Sequence, residues 1–384
     1  MLRIAIVGTG GISALHCKAY LSFPERCRIV ALCDTVPGKA EEARRKFHLD
    51  GVRVYGSHRE MLRESYDLVS ICTPPFTHAQ IAAECLDAGC NVLVEKPMAA
   101  SLEECDRMIE AERRSGKLLG VVAQNRFTDP CWKLKRVVES GEAGKVLFAR
   151  VDSFWWRGHC YYDLWWRGAW KTEGGGCTLN HAVHHIDMLN WFLGRPESVT
   201  AVLANAAHDN AEVEDLSIGI FRYPDGALAQ VTSSVIHHGE EQQLEFQCEN
   251  ARIAAPWKVA AGTSKANGFP ERNEALEKKL TALCDGVPGL EHTGHTAEIL
   301  DMLDAVELGG RPLIGSADGR LTIEVITAIY KAGFSGRSVA LPLAADDPFR
   351  TVPGILAGVR RFHEKTASVS EFEDVGITVG GEEK

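Results

Sequence analysis

The apolar run Ile4-Ala5-Ile6-Val7 passes directly into Gly8-Thr9-Gly10-Gly11-Ile12-Ser13, and this junction constrains the fold more than any other stretch of the chain. A buried strand that enters a helix through such a turn opens a βαβ unit. Gly8 is expected to permit the tight turn, and Gly10 to omit the side chain that would block a pyrophosphate. Gly11 and Ile12 lead into the helix start, whose free N–H groups and positive dipole end suit phosphate. Ser13 stands where the third glycine of the pattern would be, and is small enough for close packing of helix on strand.

Up to about residue 125, short apolar runs alternate with helical patterns. Strands are expected over Arg3–Val7, Arg28–Cys33, Val52–Tyr55, Asp67–Cys72, Asn91–Val94 and Leu118–Ala123. Gly38–Phe47 and Thr77–Ala88 read as helices, and Ser101 with Glu104 has the spacing that opens a further helix through Arg114. The alternation predicts an α/β Rossmann domain, a doubly wound parallel sheet over residues 1–125. Asp34 ends the second strand, where a carboxylate accepts hydrogen bonds from both ribose hydroxyls and repels a 2′-phosphate. No arginine follows in Thr35-Val36-Pro37-Gly38-Lys39, which favours NAD over NADP. An ordinary turn aspartate is the alternative.

Beyond residue 125 the texture changes. Pro130–Ser140 predicts a helix and Lys145–Trp155 a strand. Residues 198–254 alternate apolar and polar positions between turns such as Tyr223-Pro224-Asp225-Gly226, as an antiparallel sheet does. Helices follow over His295–Glu307 and Gly319–Gly333. The expectation is an α+β domain over 126–342 with a large, open, mainly antiparallel sheet. Its last helices, near 295–333, could pack back on the first domain. An extension over 343–384 turns polar and acidic from Thr366 and is expected to be partly disordered.

A net charge of −10 with no basic block argues against a nucleic-acid partner. No stretch approaches the length of a membrane span, and the opening apolar run is too short for a signal peptide. The twelve cysteines are scattered without CxxC spacing and read as reduced thiols of a cytoplasmic protein.

Three further motifs carry chemistry: Ile71-Cys72-Thr73-Pro74-Pro75-Phe76-Thr77-His78, Val94-Glu95-Lys96-Pro97, and Gly174-Gly175-Gly176 running through Asn180-His181-Ala182-Val183-His184-His185-Ile186-Asp187. With the glycine turn, in this order, they resemble the glucose-fructose oxidoreductase / inositol dehydrogenase / rhizopine-catabolism (Gfo/Idh/MocA) family, from residue 2 to about 342. The resemblance implies that Lys96 is the active-site lysine, that Pro97 is cis, and that His184 is the catalytic histidine. Asn180 falls where many members carry an aspartate paired with that histidine. It further implies that Thr73, Pro74, His78, Glu95 and Lys96 join the glycine turn and Asp34 in the cofactor site. The open sheet would carry the substrate on one side and a homodimer or homotetramer contact on the other.

The chemistry agrees. Oxidising a secondary alcohol needs a hydride acceptor and a base in reach of the hydroxyl. His184 can take the proton, and Lys96 can share it or hold the developing alkoxide. Asn180 could orient the imidazole but could not stabilise imidazolium by charge. A metal at His181, His184, His185 and His159 is disfavoured, because no carboxylate or cysteine completes a recognisable ligand spacing.

Five of the eight tryptophans fall between residues 155 and 170, an aromatic density suited to the face of a sugar ring. Tyr162, Arg167, Trp170, Arg126, Asp187 and His295 join Lys96, Asn180 and His184 as candidate substrate contacts. The expected reaction is NAD-dependent oxidation of a ring hydroxyl on a sugar, glycoside or cyclitol. Alternatives are a cis-dihydrodiol or carboxylated ring held by Arg126, Arg157, Arg167 or Lys171, glycoside chemistry with NAD retained, and a cofactor-sensing regulator without activity.

Overall fold

The computed structural model describes residues 1–370 and 372. Six strands, β1 (Leu2–Val7), β2 (Cys27–Cys33), β3 (Arg53–Tyr55), β4 (Leu68–Ile71), β5 (Asn91–Val94) and β6 (Leu119–Val121), form a sheet in the order β3-β2-β1-β4-β5-β6. Every pairing in it is parallel. Ile4, Ala5, Ile6, Leu68, Val69 and Ile71 are fully buried, since helices cover both faces; such strands read as unbroken apolar runs, not alternations. The strand order reverses direction between β1 and β4. The crevice at their carboxyl ends is where sheets of this kind take ligands.

Local sequence signals set the helix ends. The helix expected from Thr77 begins at Pro75, because proline fits the first turn, where no N–H is needed. Ser101 caps the helix Leu102–Ser115 by accepting from the Glu104 N–H at 3.3 Å, while the Glu104 carboxylate reaches back to the Ala100 N–H at 3.0 Å.

The second sheet has nine strands: β7 (Val146–Phe154), β8 (Ser198–Ala204), β9 (Leu216–Arg222), β10 (Leu228–Ser234), β11 (Gln242–Cys248), β12 (Ala251–Ala255), β13 (Lys258–Ser264), β14 (Pro270–Arg272) and β15 (Val339–Ala340). Their order is β14-β13-β12-β11-β7-β10-β9-β8-β15. It is antiparallel throughout except that β10 lies parallel to β7. In β9, Ser217, Gly219 and Phe221 face inward, while Ile218, Ile220 and Arg222 face out. The helix Ser316–Ser335 covers the inner face over β8 and also packs on Val183–Leu193, Leu102–Ser115 and β6. The helix Gly294–Leu308 packs on Ser13–Leu21, so the last two long helices tie both sheets together. β13, β14 and the helix Glu274–Gly286 were not anticipated. The exposed Lys258–Ser264 strand has too little apolar alternation to announce itself.

Residues 343–370 follow a defined path. The chain passes through a short helix, Val352–Gly358, then runs along the aromatic loop, with Val369 bridging to Leu164. The expectation of disorder for the acidic end otherwise falls on residues 371 and 373–384, outside the described residues.

Candidate active site

At the carboxyl end of β1, Gly8 adopts φ +89°, and a Cβ there would meet the Cys72 carbonyl carbon and oxygen at 2.7 Å. Only glycine fits a turn pressed this tightly on the end of β4. A Cβ on Gly10 would meet nothing within 4 Å, so the turn is open on the side where a pyrophosphate would lie. The helix Ser13–Leu21 starts at Ile12 without a side-chain cap. The Ala14 and Leu15 N–H groups already donate to the Gly11 and Ile12 carbonyls, at 3.3 and 3.0 Å, so the N–H groups just before them, from Gly10 to Ser13, are the ones left for a ligand. Asp34 Oδ2 accepts from the Thr9 N–H at 2.8 Å and the Thr9 hydroxyl at 2.9 Å, and Oδ1 accepts from the Val36 N–H at 2.9 Å. These bonds aim the carboxylate over the turn and leave lone pairs for ribose. The residues present therefore fit a dinucleotide.

Thr73 and Pro74 follow β4 at the same rim. His78 does not reach the rim. It is fully buried, with Nε2 2.7 Å from the Thr73 carbonyl and Nδ1 3.0 Å from the Pro97 carbonyl. It braces the two loops behind the site and is not itself a ligand contact. Burial pushes its basicity down, against the pull of those carbonyls.

Glu95, Lys96 and Pro97 follow β5, with the Lys96–Pro97 bond cis. Burial by itself would raise the Glu95 carboxyl, but the hydrogen bond from His16 and the nearby His295 ring hold it well below the usual range. His16 Nε2 lies 3.0 Å and His295 Nε2 3.4 Å from Glu95 Oε1, while Oε2 accepts the Lys96 N–H at 3.1 Å. His295 therefore faces Glu95, not a substrate. Tyr20 lies 2.7 Å from Ser70 Oγ and Ser70 3.2 Å from His16 Nδ1. A carboxylate can only accept, so His16 carries its proton on Nε2, and the chain donates in sequence from Tyr20 through Ser70 and His16 to Glu95. His16, Glu95 and His295 also group their ligand atoms within 4.8 Å, but the hydrogen bonds already account for the arrangement.

Lys96 and His184 line one small cavity together with Asp187 and Thr322. Lys96 is half-buried and His184 buried, and among the described residues no group hydrogen-bonds the Lys96 ammonium or the His184 ring. Loss of solvation lowers the Lys96 pKa; Glu95 opposes this and Arg167 adds to it. His184 is pushed well below its ordinary value, first by burial and then by Lys96 and His185. At neutral pH it is an unprotonated imidazole, able to accept a proton.

Asn180 corrects an expectation. Its amide nitrogen donates to the Gly175 carbonyl at 2.8 Å and the Gly176 carbonyl at 3.3 Å, not to His184. It fixes the glycine turn, and the turn is tight, since a Cβ on Gly176 would overlap the Glu214 carbonyl.

Four substrate candidates are taken up by pairing or packing, although Asp187 also borders the cavity. Arg126 and Asp187 are buried against each other, at 2.7 and 2.8 Å, and Arg126 also reaches Asp318 at 3.0 Å. A guanidinium spent this way cannot clamp a substrate. Tyr162 is 1% exposed and packs edge-on to His208, and Trp170 is 4% exposed with its indole N–H on the Glu212 carbonyl at 3.0 Å. Both support the aromatic loop from within. Arg167 is not in the cavity lining but lies within electrostatic reach of Lys96. It is sandwiched at 4.1 and 4.2 Å by the rings of Tyr161 and Trp166, and held at 3.1 Å by Glu173. Burial raises that carboxyl to about 7, partly offset by Arg167, so the guanidinium's charge is incompletely cancelled. Tyr161 continues the line, its hydroxyl 3.4 Å from His181 Nε2. His159 lies apart, exposed and paired with Asp209.

A Rossmann crevice that faces an uncommitted lysine and a neutral histidine defines a dinucleotide-linked oxidoreductase. The sequence matches two family models, an oxidoreductase family's NAD-binding Rossmann fold over residues 2–123 and the GFO/IDH/MocA C-terminal domain over 131–254. The chain belongs to this Gfo/Idh/MocA family of NAD-binding oxidoreductases. It is 27% identical over 346 residues to myo-inositol 2-dehydrogenase of Thermotoga maritima, covering 88% of this chain and 98% of that one. It is 31% identical over 252 residues to 1-carboxy-3-chloro-3,4-dihydroxycyclohexa-1,5-diene dehydrogenase of Comamonas testosteroni, covering 63% of this chain and 60% of that relative. The WlbA dehydrogenase of Bordetella pertussis, solved with NADH and UDP-GlcNAcA, superposes with a TM-score of 0.75 at 27% identity, covering 89% and 99% of the two chains.

Proposed function

We propose that this enzyme oxidises a secondary hydroxyl on a polyhydroxylated ring (a sugar, glycoside or cyclitol), with Lys96 and His184 handling the proton. The observation that carries this reading is that both groups border one cavity while neither is committed to another residue. Bound NAD would accept the hydride at its nicotinamide. His184, neutral at pH 7, takes the hydroxyl proton. Lys96 holds the alkoxide oxygen as charge develops, a role that its lowered pKa also lets it share as a proton acceptor. Glu95 sets the Lys96 backbone through its carboxylate. The myo-inositol dehydrogenase relative, aligned over most of both chains, supports the ring-hydroxyl class.

A second reading, a ring that bears a carboxylate, is favoured by one observation. Arg167 is paired with a carboxyl that burial raises to about 7, so its positive charge is incompletely balanced, and it lies within electrostatic reach of Lys96. The carboxylated diol of one relative is in keeping with it.

The described surface supports a homo-oligomer: Ile218, Ile220, Val202, Leu228 and Phe148 are exposed on the outer face of the nine-stranded sheet, a flat apolar patch of the kind that self-association covers. Twelve free thiols, eleven of them buried, fit a cytoplasmic enzyme. We divide the chain into a cofactor unit over 1–125 and a substrate unit over 126–342.

The test is NADH formation, followed by absorbance, with inositols, pyranoses, anhydrosugars, uronates and cis-diols. Turnover of any of them by the intact enzyme is expected, and a preference for uronates would select the second reading. Tight NAD binding without turnover on the whole panel would sink the ring-hydroxyl assignment.

A further inference from the structure

The aromatic loop between β7 and the helix Val183–Leu193 has little structure of its own. It holds one 3₁₀ turn, His159–Asp163, and two short helices, Trp170–Glu173 and Cys177–Asn180. A loop this long needs outside partners for its backbone groups, and the C-terminal segment supplies several. The Val369 N–H donates to the Asp163 carbonyl at 2.8 Å, and the Trp165 N–H donates to the Val369 carbonyl at 2.9 Å. The Lys365 ammonium donates to the Tyr162 carbonyl.

Asn210, 4% exposed, joins the same three segments. Its amide nitrogen donates to Asp163 Oδ1 at 2.6 Å and to the Ala367 carbonyl at 3.1 Å. Its oxygen accepts the Thr366 and Ala367 N–H groups at 2.8 and 2.9 Å. Glu212 does similar work further along: its carbonyl accepts both the Phe362 N–H and the Trp170 indole, each at 3.0 Å. On this held backbone the Tyr161 hydroxyl lies 3.4 Å from His181 Nε2, and the Arg167 guanidinium stacks at 4.1 Å on the Tyr161 ring, within electrostatic reach of Lys96.

We infer that residues 361–369 form a strap that positions the aromatic loop, and that through it Lys365 and Val369 set substrate affinity without touching substrate. The inference rests on the reading that this loop faces the substrate. The strap contacts none of the glycine turn, Asp34 or Glu95, so it has no route to NAD affinity through the contacts described.

The test uses the full chain with Lys365→Met and Val369→Pro, singly and together. Proline removes the one N–H of the strap that bonds the Asp163 carbonyl and leaves the strap's other hydrogen bonds. The double variant is expected to raise KM for the best ring substrate of the panel on the order of tenfold, as the loss of two hydrogen bonds implies. Its kcat and its NAD Kd should stay within about twofold, and Lys365→Arg should restore most of the KM. Hydrogen exchange at the amides of residues 161–168 should quicken in the same variants. Unchanged exchange would overturn the strap. Faster exchange with unchanged KM would overturn its link to the substrate. If no ring is turned over by the parent enzyme, the ring-hydroxyl reading falls, while the exchange measurement still decides whether the strap holds the loop.

Discussion

His184 and Asp187 stand one turn apart on a single helix, and their surroundings put burial to opposite uses. Asp187 meets Arg126 with two short bonds and Thr322 with a third at 3.3 Å, so its charge is answered before any ligand arrives. His184 and Lys96 are desolvated without being answered. A paired buried charge mainly holds the fold in register, whereas an unpaired one is destabilising and is kept where chemistry uses it. Burial marks both pairs. Spare hydrogen-bonding capacity separates them.

The largest effect should come from the uncommitted pair. Lys96→Ala is expected to lower kcat by a factor on the order of a hundred to ten thousand, the range for loss of a positioned proton carrier, and to hold or raise the urea midpoint, since an unpaired desolvated charge is removed. Near-normal turnover would erase the distinction between the two pairs. Asp187→Ala should do the reverse. It leaves Arg126 with Asp318 as its one carboxylate partner and should cost about 3 kcal/mol of unfolding free energy or somewhat less, while kcat of the folded fraction falls far less than in Lys96→Ala.

A third measurement sharpens the comparison through pH. His185 is buried beside His184, and desolvation lowers its pKa to about 4. The unfolded chain, with an ordinary value near 6.5, therefore binds that proton more readily than the folded one. Stability should fall as pH drops from about 6.5 to about 4, by roughly 3 kcal/mol from this group, and be unaffected by it above pH 7. His185→Leu should flatten the pH slope seen in urea melts; an unchanged slope would assign the acid sensitivity elsewhere. A further, smaller effect is expected from Asp34→Ala. Losing the repulsion of a 2′-phosphate should narrow the NAD/NADP preference by about tenfold, as kcat/KM with each cofactor would show.

What the sequence could reveal follows from distance along the chain. The glycine turn, Asp34 and the Ser101 cap act on neighbours within a strand–helix unit, and their residue types alone carry the signal. Lys96 and His184 stood out through the order of their motifs. Arg126 read as a possible clamp because its partners lie 61 and 192 residues away, and nothing local distinguishes a satisfied arginine from a free one. His16 went unnoticed for the same reason, its carboxylate being 79 residues on. Within the aromatic loop, density promised ring contacts. Tertiary packing then decided that Tyr162 and Trp170 turn inward while Arg167 lies between Tyr161 and Trp166. The parallel pairing of β7 with β10 was likewise hidden, since helices and two strands intervene.

Arg126 follows the last strand of the dinucleotide sheet almost directly, and its two carboxylate partners come from the helices Val183–Leu193 and Ser316–Ser335. One guanidinium thus rivets three segments, and parting them would break three short, charge-assisted hydrogen bonds at once. The aromatic loop and its strap, by contrast, are joined one hydrogen bond at a time, most of them neutral, so the same molecule carries a seam that yields only as a whole and another that can yield piecemeal.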